Sequence, residues 1–488
     1  MKAIAATRLA SAAKEPAESP ALVVDLDGTL VKTDLLLEAI LVLLKQSPRY
    51  AFCLLPWLVK GKAYFKRQVA HHVSFDAAIL PYREEVLDYL REQRTYGRRL
   101  VLATGADMQV ARPVANHLGL FDLVLASDGV TNLSGASKRD RLVKEFGEKH
   151  FDYAGNGRRD VAVWASARKA VLVNPSARVR SRAAKVAQVD RVFERPRKGL
   201  ADYLKPLRFQ HWWKNVLVFV PLLAAHRLDE IGLLGKLLLA FVSFGCFASS
   251  GYLMNDLFDL QADRHHPTKR FRPFASGRLP LSYAFAMIPA LAGLGSLIAT
   301  RVSRPFLEVV LSYFALILIY SLKLKKVVLL DVIILAGLYT MRIMAGAAAI
   351  SIWPSHWLLA FSTFFFFSLA LVKRYSELVI MRKIDGDHAK ARAYELDDGE
   401  LLAAMGVASG FLAVLVLALY INSDKAQALY GRYQFIWFLC PLLLYWISHV
   451  WLIAHRGKMP DDPFAFAMND RTSWILIVLM SALVVLAV

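Results

Sequence analysis

Apolar positions follow two patterns along the chain. Through roughly residue 175, short apolar runs end in polar, Gly-containing turns: ALVVDLDGTL (21–30), RRLVLATG ending at Thr104 and Gly105, FDLVLASDG (121–129), DYAGN (152–156) and KAVLVN (169–174). Stretches with helical character, notably 83–96 and 107–119, separate several of them. Short buried strands alternating with helices predict an α/β sheet, with chemistry at the carboxyl ends of the strands. The polar residues near those ends are Asp25, Asp27, Thr104, Lys138, Asn156 and Asp160. From about residue 211 the runs lengthen to membrane-spanning size, near 211–226, 232–257, 281–300, 306–322, 327–350, 355–373, 401–422, 434–454 and 473–488. That second regime predicts an all-α polytopic membrane domain with about nine transmembrane helices.

Boundaries follow from the same pattern. Residues 1–20 read as a disordered tail, 21–175 as the α/β domain, 176–205 as a basic linker on an anionic leaflet, and 206–488 as the membrane domain. The linker carries Arg178, Arg180, Arg182, Lys185, Arg191, Arg195, Arg197, Lys198 and Lys205. An insertion at about 35–83 includes LLLEAILVLLKQSPRYAFCLLPWLVKGK, whose apolar run is broken by Glu38, Lys45, Arg49 and Pro56. It reads as a helical cap: either a cover for an active site or a pair of interfacial helices.

Composition sharpens this picture. The 488 residues are 56% hydrophobic, with a net charge of +20. In a membrane protein such an excess belongs to cytoplasmic loops and anionic lipid. No nucleic-acid motif accompanies it, so no nucleic-acid partner is expected. Basic clusters fall in alternate loops, which predicts a bacterial-type inner membrane protein with its amino-terminal domain in the cytoplasm. Three scattered cysteines suggest neither a zinc site nor a disulfide framework.

The chemistry concentrates in GYLMNDLFDLQADRHHPTKRFRPFASGRLP (251–280). Asn255, Asp256, Asp259 and Asp263 recur at three- and four-residue spacing, which stacks them on one helical face. Such a stripe of oxygen donors suits Mg²⁺ bound together with a substrate diphosphate. The Arg264, Lys269, Arg270, Arg272 and Arg278 that follow suit the remaining phosphate charge. The plainer alternative is a solvated helix end with basic residues on its cytoplasmic side. A second stretch, YSLKLKKVVLLDVIILAGLYTMRIMAGA (320–347), holds Tyr320, Lys323, Lys325, Asp331, Tyr339 and Arg342 in or near a span, where charge is costly and commonly functional. Asp331 and Arg342 lie three turns apart, too far to touch directly, so a bridging ligand or cation would join them. Lys373, Arg374, Tyr375 and Glu377 form a third cluster, and Lys214 and Asn215 sit among aromatics at the first run.

DLDGT (25–29), the Thr104 strand end, SKRDRL and GNGRRD (155–160) resemble the haloacid dehalogenase superfamily, a Rossmann-like α/β fold. The resemblance implies that Asp25 attacks phosphorus and that Asp27 acts as general acid and then base. Thr104 and Lys138 would hold phosphoryl oxygens, and Asp25, Asp27, Asn156 and Asp160 would bind Mg²⁺. Asn156 stands where that family usually has Asp, which removes one anionic ligand. NDLFDLQAD and the span pattern are similar to the UbiA superfamily of intramembrane transferases. WWKNVLVFVPLL, YSLKLKKVVLLDV and LVKRYSEL point to its phosphoribosyl-transferring branch. That branch moves 5-phosphoribosyl from phosphoribosyl pyrophosphate to a polyprenyl phosphate. It implies Asn255, Asp256, Asp259 and Asp263 as ligands of Mg²⁺ and the donor diphosphate. Lys214, Lys269, Arg272, Tyr320, Lys323, Lys325, Asp331, Tyr339, Arg342, Lys373 and Arg374 are the substrate-binding candidates. Leu335 stands where the superfamily pattern has a second aspartate, which favours that branch over a two-metal prenyl diphosphate site. Two rivals stay open: a prenyltransferase with an aromatic acceptor, and a membrane scaffold with degenerate sites. A homo-oligomer is compatible with either.

Overall fold

The computed structural model describes residues 19–74, 76–194, 198–227, 229–385, 394–460 and 462–488. The tail expected over 1–18, Arg195 and Arg197 of the expected linker, and 386–393 of the sixth loop lie outside the described residues. The chain divides into two compact units. The first comprises the chain up to Asp202 together with Asp259–Tyr283; the second comprises Tyr203–Phe258 and Ala284–Val488.

The first unit is built on a six-stranded parallel sheet: β1 (Ala21–Val24), β2 (Leu100–Asp107), β3 (Leu123–Ser127), β4 (Phe151–Gly155), β5 (Lys169–Val173) and β6 (Gln188–Phe193), in the order β3-β2-β1-β4-β5-β6. All four residues of β1 are buried, as expected of a central parallel strand covered on both faces. Asp25 follows directly at its carboxyl end, beside the point where the strand order reverses. The insertion forms three helices, α1 (Leu35–Gln46), α2 (Ala51–Val59) and α3 (Lys62–His71). The Asp34 carboxylate caps α1 by accepting from the Leu36 and Leu37 N–H groups.

Two boundaries differ from expectation. The segment read as a basic linker contains the helix Ala177–Val186 and β6, whose Val192 and Phe193 pair with Leu172 and Val173. Its charges lie on the outer side of an edge strand and an amphipathic helix, so they hide the apolar periodicity that docks both. The second correction concerns Asp259–Tyr283, which packs with the first unit rather than the second. Its Arg264 guanidinium donates to both Glu38 carboxylate oxygens at 2.6 and 2.8 Å and to the Ala275 carbonyl at 3.0 Å. Glu38 and Arg264 are both buried.

In the second unit, seven helices among the described residues are long and apolar enough to cross a membrane: Ile231–Phe258, Leu281–Val302, Arg304–Leu322, Leu330–Ala349, His356–Arg382, Asp398–Ile421 and Tyr433–His455. Pro463–Asn469 and Arg471–Ala487, bent by 80°, make an eighth if counted as one span. The expected first span over 211–226 does not form. It becomes 3₁₀ turns over Phe209–Phe219 and a five-residue helix, Val220–Ala224. Pro221 lacks an amide donor, and the buried Lys214 and Asn215 need polar partners that a lipid-facing helix does not supply.

Close packing in this unit rests on small residues. A Cβ at Gly346 would sit 1.9 Å from the Val218 carbonyl oxygen, whereas one at Gly337 on the same helix meets nothing within 4 Å. Gly346→Ala is expected to lower the melting temperature in detergent, by about 1–3 kcal/mol of stability. Gly337→Ala, which adds helix propensity without a clash, should leave it unchanged or raise it. In the first unit, Glu38→Gln leaves the Arg264 charge buried with half its partner. It should cost about 3–5 kcal/mol in the same measurement.

Candidate functional site

In the first unit the carboxyl end of the sheet opens into a cavity of about 430 Å³, lined by Asp25, Asp27, Lys138, Asn156, Asp160 and residues of the cap. Lys138 Nζ donates to Asp25 Oδ1 at 2.6 Å and to the Tyr153 hydroxyl at 3.0 Å. That hydroxyl donates to Asp160 Oδ1 at 2.8 Å, and Asp160 Oδ2 accepts from the Asn156 and Gly157 N–H groups. Asp160 thus uses three of about four acceptor directions and is fixed in place. Burial pushes the Asp25 carboxyl up against the opposing pull of Lys138, and the Asp160 charge adds to the rise. Asp27 accepts from the Leu35 N–H at 2.9 Å. Burial, reinforced by the Asp34 charge, pushes it up to about 7. Burial raises both carboxyls; Asp25 is in contact with a cation, and Asp27 can carry a proton near neutrality.

Thr104 does not join them. It lies inside β2, fully buried, and its hydroxyl accepts from the Ala106 N–H at 3.0 Å. β2 runs on to Asp107, two residues beyond the expected end at Gly105, and Gly105, Ala106 and Asp107 line the cavity in place of Thr104. Sequence reasoning also missed Lys66, Arg158 and Arg159 on the cavity wall. Lys66 comes from α3 and donates to the Gly105 carbonyl and Asn132 Oδ1, at 2.5 and 2.8 Å. No local motif marks it, because only the cap's fold brings it to the cavity. Asp107 Oδ2 is buried there without a hydrogen-bond partner. The oxygen donors of Asp25, Asn156 and Asp160 fit a hard cation in chemistry, and a cation beside them would relieve the repulsion between the two carboxylates.

The Asp-rich motif is not one unbroken helical stripe. The helix ends at Phe258, and Asp259, with φ −93° and ψ 4°, starts the next helix, Leu260–His265. In the second unit, Asp256 is buried and Arg208 Nη2 donates to it at 2.6 Å. Lys325 Nζ donates to Asn255 Oδ1 at 3.2 Å. In the first unit, Lys45 lies 3.5 Å from Asp259, and Arg272 Nη1 donates to Asp263 at 2.8 Å. Lys269 is partly exposed on the turn that follows. Each acid therefore meets a basic group, and among the described residues no three His, Cys, Asp or Glu side chains cluster as a metal site. The donor atoms suit Mg²⁺, which would have to take the place of these cations.

The remaining candidates form separate buried groups in the second unit. Asp331 pairs with Arg374 Nε at 2.5 Å and accepts from the Tyr394 hydroxyl at 2.5 Å. Arg374 also reaches Glu377 at 2.6 Å and the Tyr320 hydroxyl at 3.2 Å. Arg342 instead donates to Asn215 Oδ1, the Tyr313 hydroxyl and the Leu338 carbonyl, at 3.2, 2.9 and 2.6 Å. The bridge expected between Asp331 and Arg342 is thus replaced by two local networks. Lys214 pairs with Asp462 and donates to the Tyr339 hydroxyl at 3.2 Å. Lys323 is exposed and Lys373 half-buried. Arg208, Tyr394 and Asp462 were missed; each lies far along the chain from its acid or lysine, and no spacing rule reaches that distance.

The profile of the UbiA prenyltransferase family matches residues 216–485. The chain belongs to that family. Residues 22–165 match the haloacid dehalogenase-like hydrolase profile, so this UbiA-family chain carries a hydrolase-like domain ahead of its membrane part. It is 36% identical to the uncharacterized protein y4nM of Sinorhizobium fredii over 470 residues, covering 96% of this chain and 90% of that one. It is 37% identical to nodulation protein NoeC of Azorhizobium caulinodans over 275 residues, covering 56% of this chain and 89% of that one. To the decaprenyl-phosphate phosphoribosyltransferase of Mycobacterium tuberculosis it is 31% identical over 295 residues, covering 59% and 94%.

The Asp27 environment makes a testable statement about pH. Between the ordinary value of 3.8 and about 7, the folded chain keeps a proton that the unfolded chain has lost. Stability therefore falls as pH rises through that window. Asp27→Asn, which keeps an acceptor for the Leu35 N–H, removes this fall. Its melting temperature should exceed the parent's by a margin that widens from pH 4 to 7 and then levels off, on the order of a few kcal/mol.

Proposed function

We propose that the membrane domain transfers 5-phosphoribosyl from phosphoribosyl pyrophosphate to a polyprenyl phosphate, releasing pyrophosphate, and that the amino-terminal domain then removes the 5′-phosphate. The observation that carries this is the similarity to a decaprenyl-phosphate phosphoribosyltransferase, joined on one chain to a cavity holding Asp25, Asp27 and Lys138. A transferase of that class makes a lipid that retains a phosphate monoester, and the cavity has the groups to hydrolyse one.

In the transfer, an oxygen of the acceptor phosphate bonds to the ribose anomeric carbon as the bond from that carbon to pyrophosphate breaks. The acceptor is already anionic, so no strong base is required. Asn255, Asp256, Asp259 and Asp263 are the proposed ligands of Mg²⁺, and Arg272 and Lys325 are proposed, as basic residues of the two motifs, to answer the charge of the departing pyrophosphate. In the hydrolysis, an Asp25 oxygen bonds to phosphorus while the phosphorus–oxygen bond to the sugar breaks. The Asp27 carboxyl gives its proton to the leaving alkoxide. Water then attacks phosphorus as the bond from phosphorus to the Asp25 oxygen breaks, and surrenders a proton to Asp27, freeing inorganic phosphate and the Asp25 carboxylate. Lys138 holds Asp25 and the phosphoryl oxygens, and the unpartnered Asp107 oxygen suits a sugar hydroxyl. Bound Mg²⁺, on Asp25, Asn156 and Asp160 in this cavity, would supply neutralising charge to phosphoryl oxygens.

The match to a prenyltransferase family favours one other reading, transfer of an isoprenoid from its diphosphate to an aromatic acceptor. Purified chain given labelled phosphoribosyl pyrophosphate and polyprenyl phosphate should yield lipid-linked ribose, read by mass spectrometry. Asp25→Asn should accumulate the phosphorylated lipid, and Asp256→Asn should lower the transfer rate by about 10²–10³-fold. Identical lipids from Asp25→Asn and parent would refute the coupled hydrolysis. Label retained on the donor, with turnover restored by prenyl diphosphates, would establish the prenyltransferase instead.

A further inference from the structure

Helix α2 reads AFCLLPWLV, nine apolar residues of which none is buried. Leu54 and Trp57 rest partly against Ala39, Leu43, Phe65 and Val69 of α1 and α3. The outward side carries Phe52, Leu55, Leu58 and Val59, with exposures of 86, 69, 46 and 81%. Positions 52, 55 and 59 follow helical spacing, so they form one contiguous patch rather than scattered apolar residues. Arg49, Lys60 and Lys62, all exposed, stand at its two ends.

We propose that this patch is a membrane-contact surface, with α2 lying in the interface of an anionic bilayer. Its length of about 14 Å is far below the roughly 30 Å of a hydrocarbon core, so it lies along the surface and does not cross. An apolar side flanked by basic residues is the composition such helices use, the charges answering anionic head groups. A bilayer is at hand, because the same chain carries seven helices of spanning length and composition. The cap helices on either side of α2 line the hydrolase cavity, through Leu35, Leu36 and Ala39 on α1 and Lys66 and Ala70 on α3. Lipid contact at the tip of the cap would therefore bring this cavity to substrates anchored in the membrane, which selects lipid-linked phosphoesters over soluble ones. The contact itself does not depend on the reaction proposed above.

Depth-resolved quenching on the full chain tests it. A fluorophore is placed on Leu55→Cys, in a chain also bearing Cys53→Ser, Cys246→Ala and Cys440→Ala, and reconstituted in phosphatidylcholine–phosphatidylglycerol vesicles. Val59→Cys repeats the measurement at a second site, and Tyr96→Cys, on the exposed end of a different helix, serves as the reference. Nitroxide-bearing lipids should quench positions 55 and 59 at least about twofold more than position 96, while aqueous iodide shows the reverse order. Equal iodide quenching at all three positions would overturn the proposal by placing the patch in water. Protection of positions 55 and 59 from both quenchers would overturn it too, since protein, such as a second copy of the chain, would then cover the patch.

Discussion

A carboxylate taken out of water has to be answered by a cation or give up its charge. This constraint runs through the whole chain. Asp25 is held by Lys138, Asp256 by Arg208, Asp263 by Arg272, Asp331 by Arg374 and Glu38 by Arg264. In the apolar bundle the demand is stricter, because lipid offers no alternative hydrogen bonds. Asp331 accordingly has the Tyr394 hydroxyl as well as Arg374. Each pairing fixes a carboxylate and its basic partner in place together.

Asp27 takes the other route. No cation lies within ion-pair distance of it among the described residues, and burial leaves it titrating at about 7. Its neighbour Asp25 is pushed up by burial as well, but is in contact with the Lys138 ammonium group. The difference between them comes from one lysine, presented by the helix Ala136–Phe146, and from the turn that leads into α1. Two ionised carboxylates so close would repel each other, and burial raises both of them.

What could be read from the sequence follows the range of the signal. The strands β1 to β5 and the seven long spans rest on local periodicity, and they were legible. The DLDGT aspartates were legible too, since a strand end and the turn after it place them. The span expected at 211–226 failed because hydropathy does not register the polar needs of Lys214 and Asn215. β6 was hidden by the charges of an edge strand. Partners from distant segments were not legible. Lys66, Arg208, Tyr394 and Asp462 are ordinary residues in the sequence and gain meaning only from what the fold places beside them. The ionic partners of Asp331 and Arg342 were misjudged for the same reason: shared helix position was considered, while the competing Arg374 sits on another helix.

The buried Glu38–Arg264 pair carries this reasoning one step further. Arg264 is the residue after Asp263, and each of its three guanidinium nitrogens donates, two to the α1 carboxylate and one to the Ala275 carbonyl. Lys45, two turns further along α1 from Glu38, lies beside Asp259. The helix that begins at the Asp27 loop therefore grips the segment bearing two of the four motif residues. Displacing Arg264 would leave a charge uncompensated in the protein interior, so α1 and that segment are constrained to move together. Within the first unit, one helix of the cap is thus a structural support for the segment that carries Asp259 and Asp263.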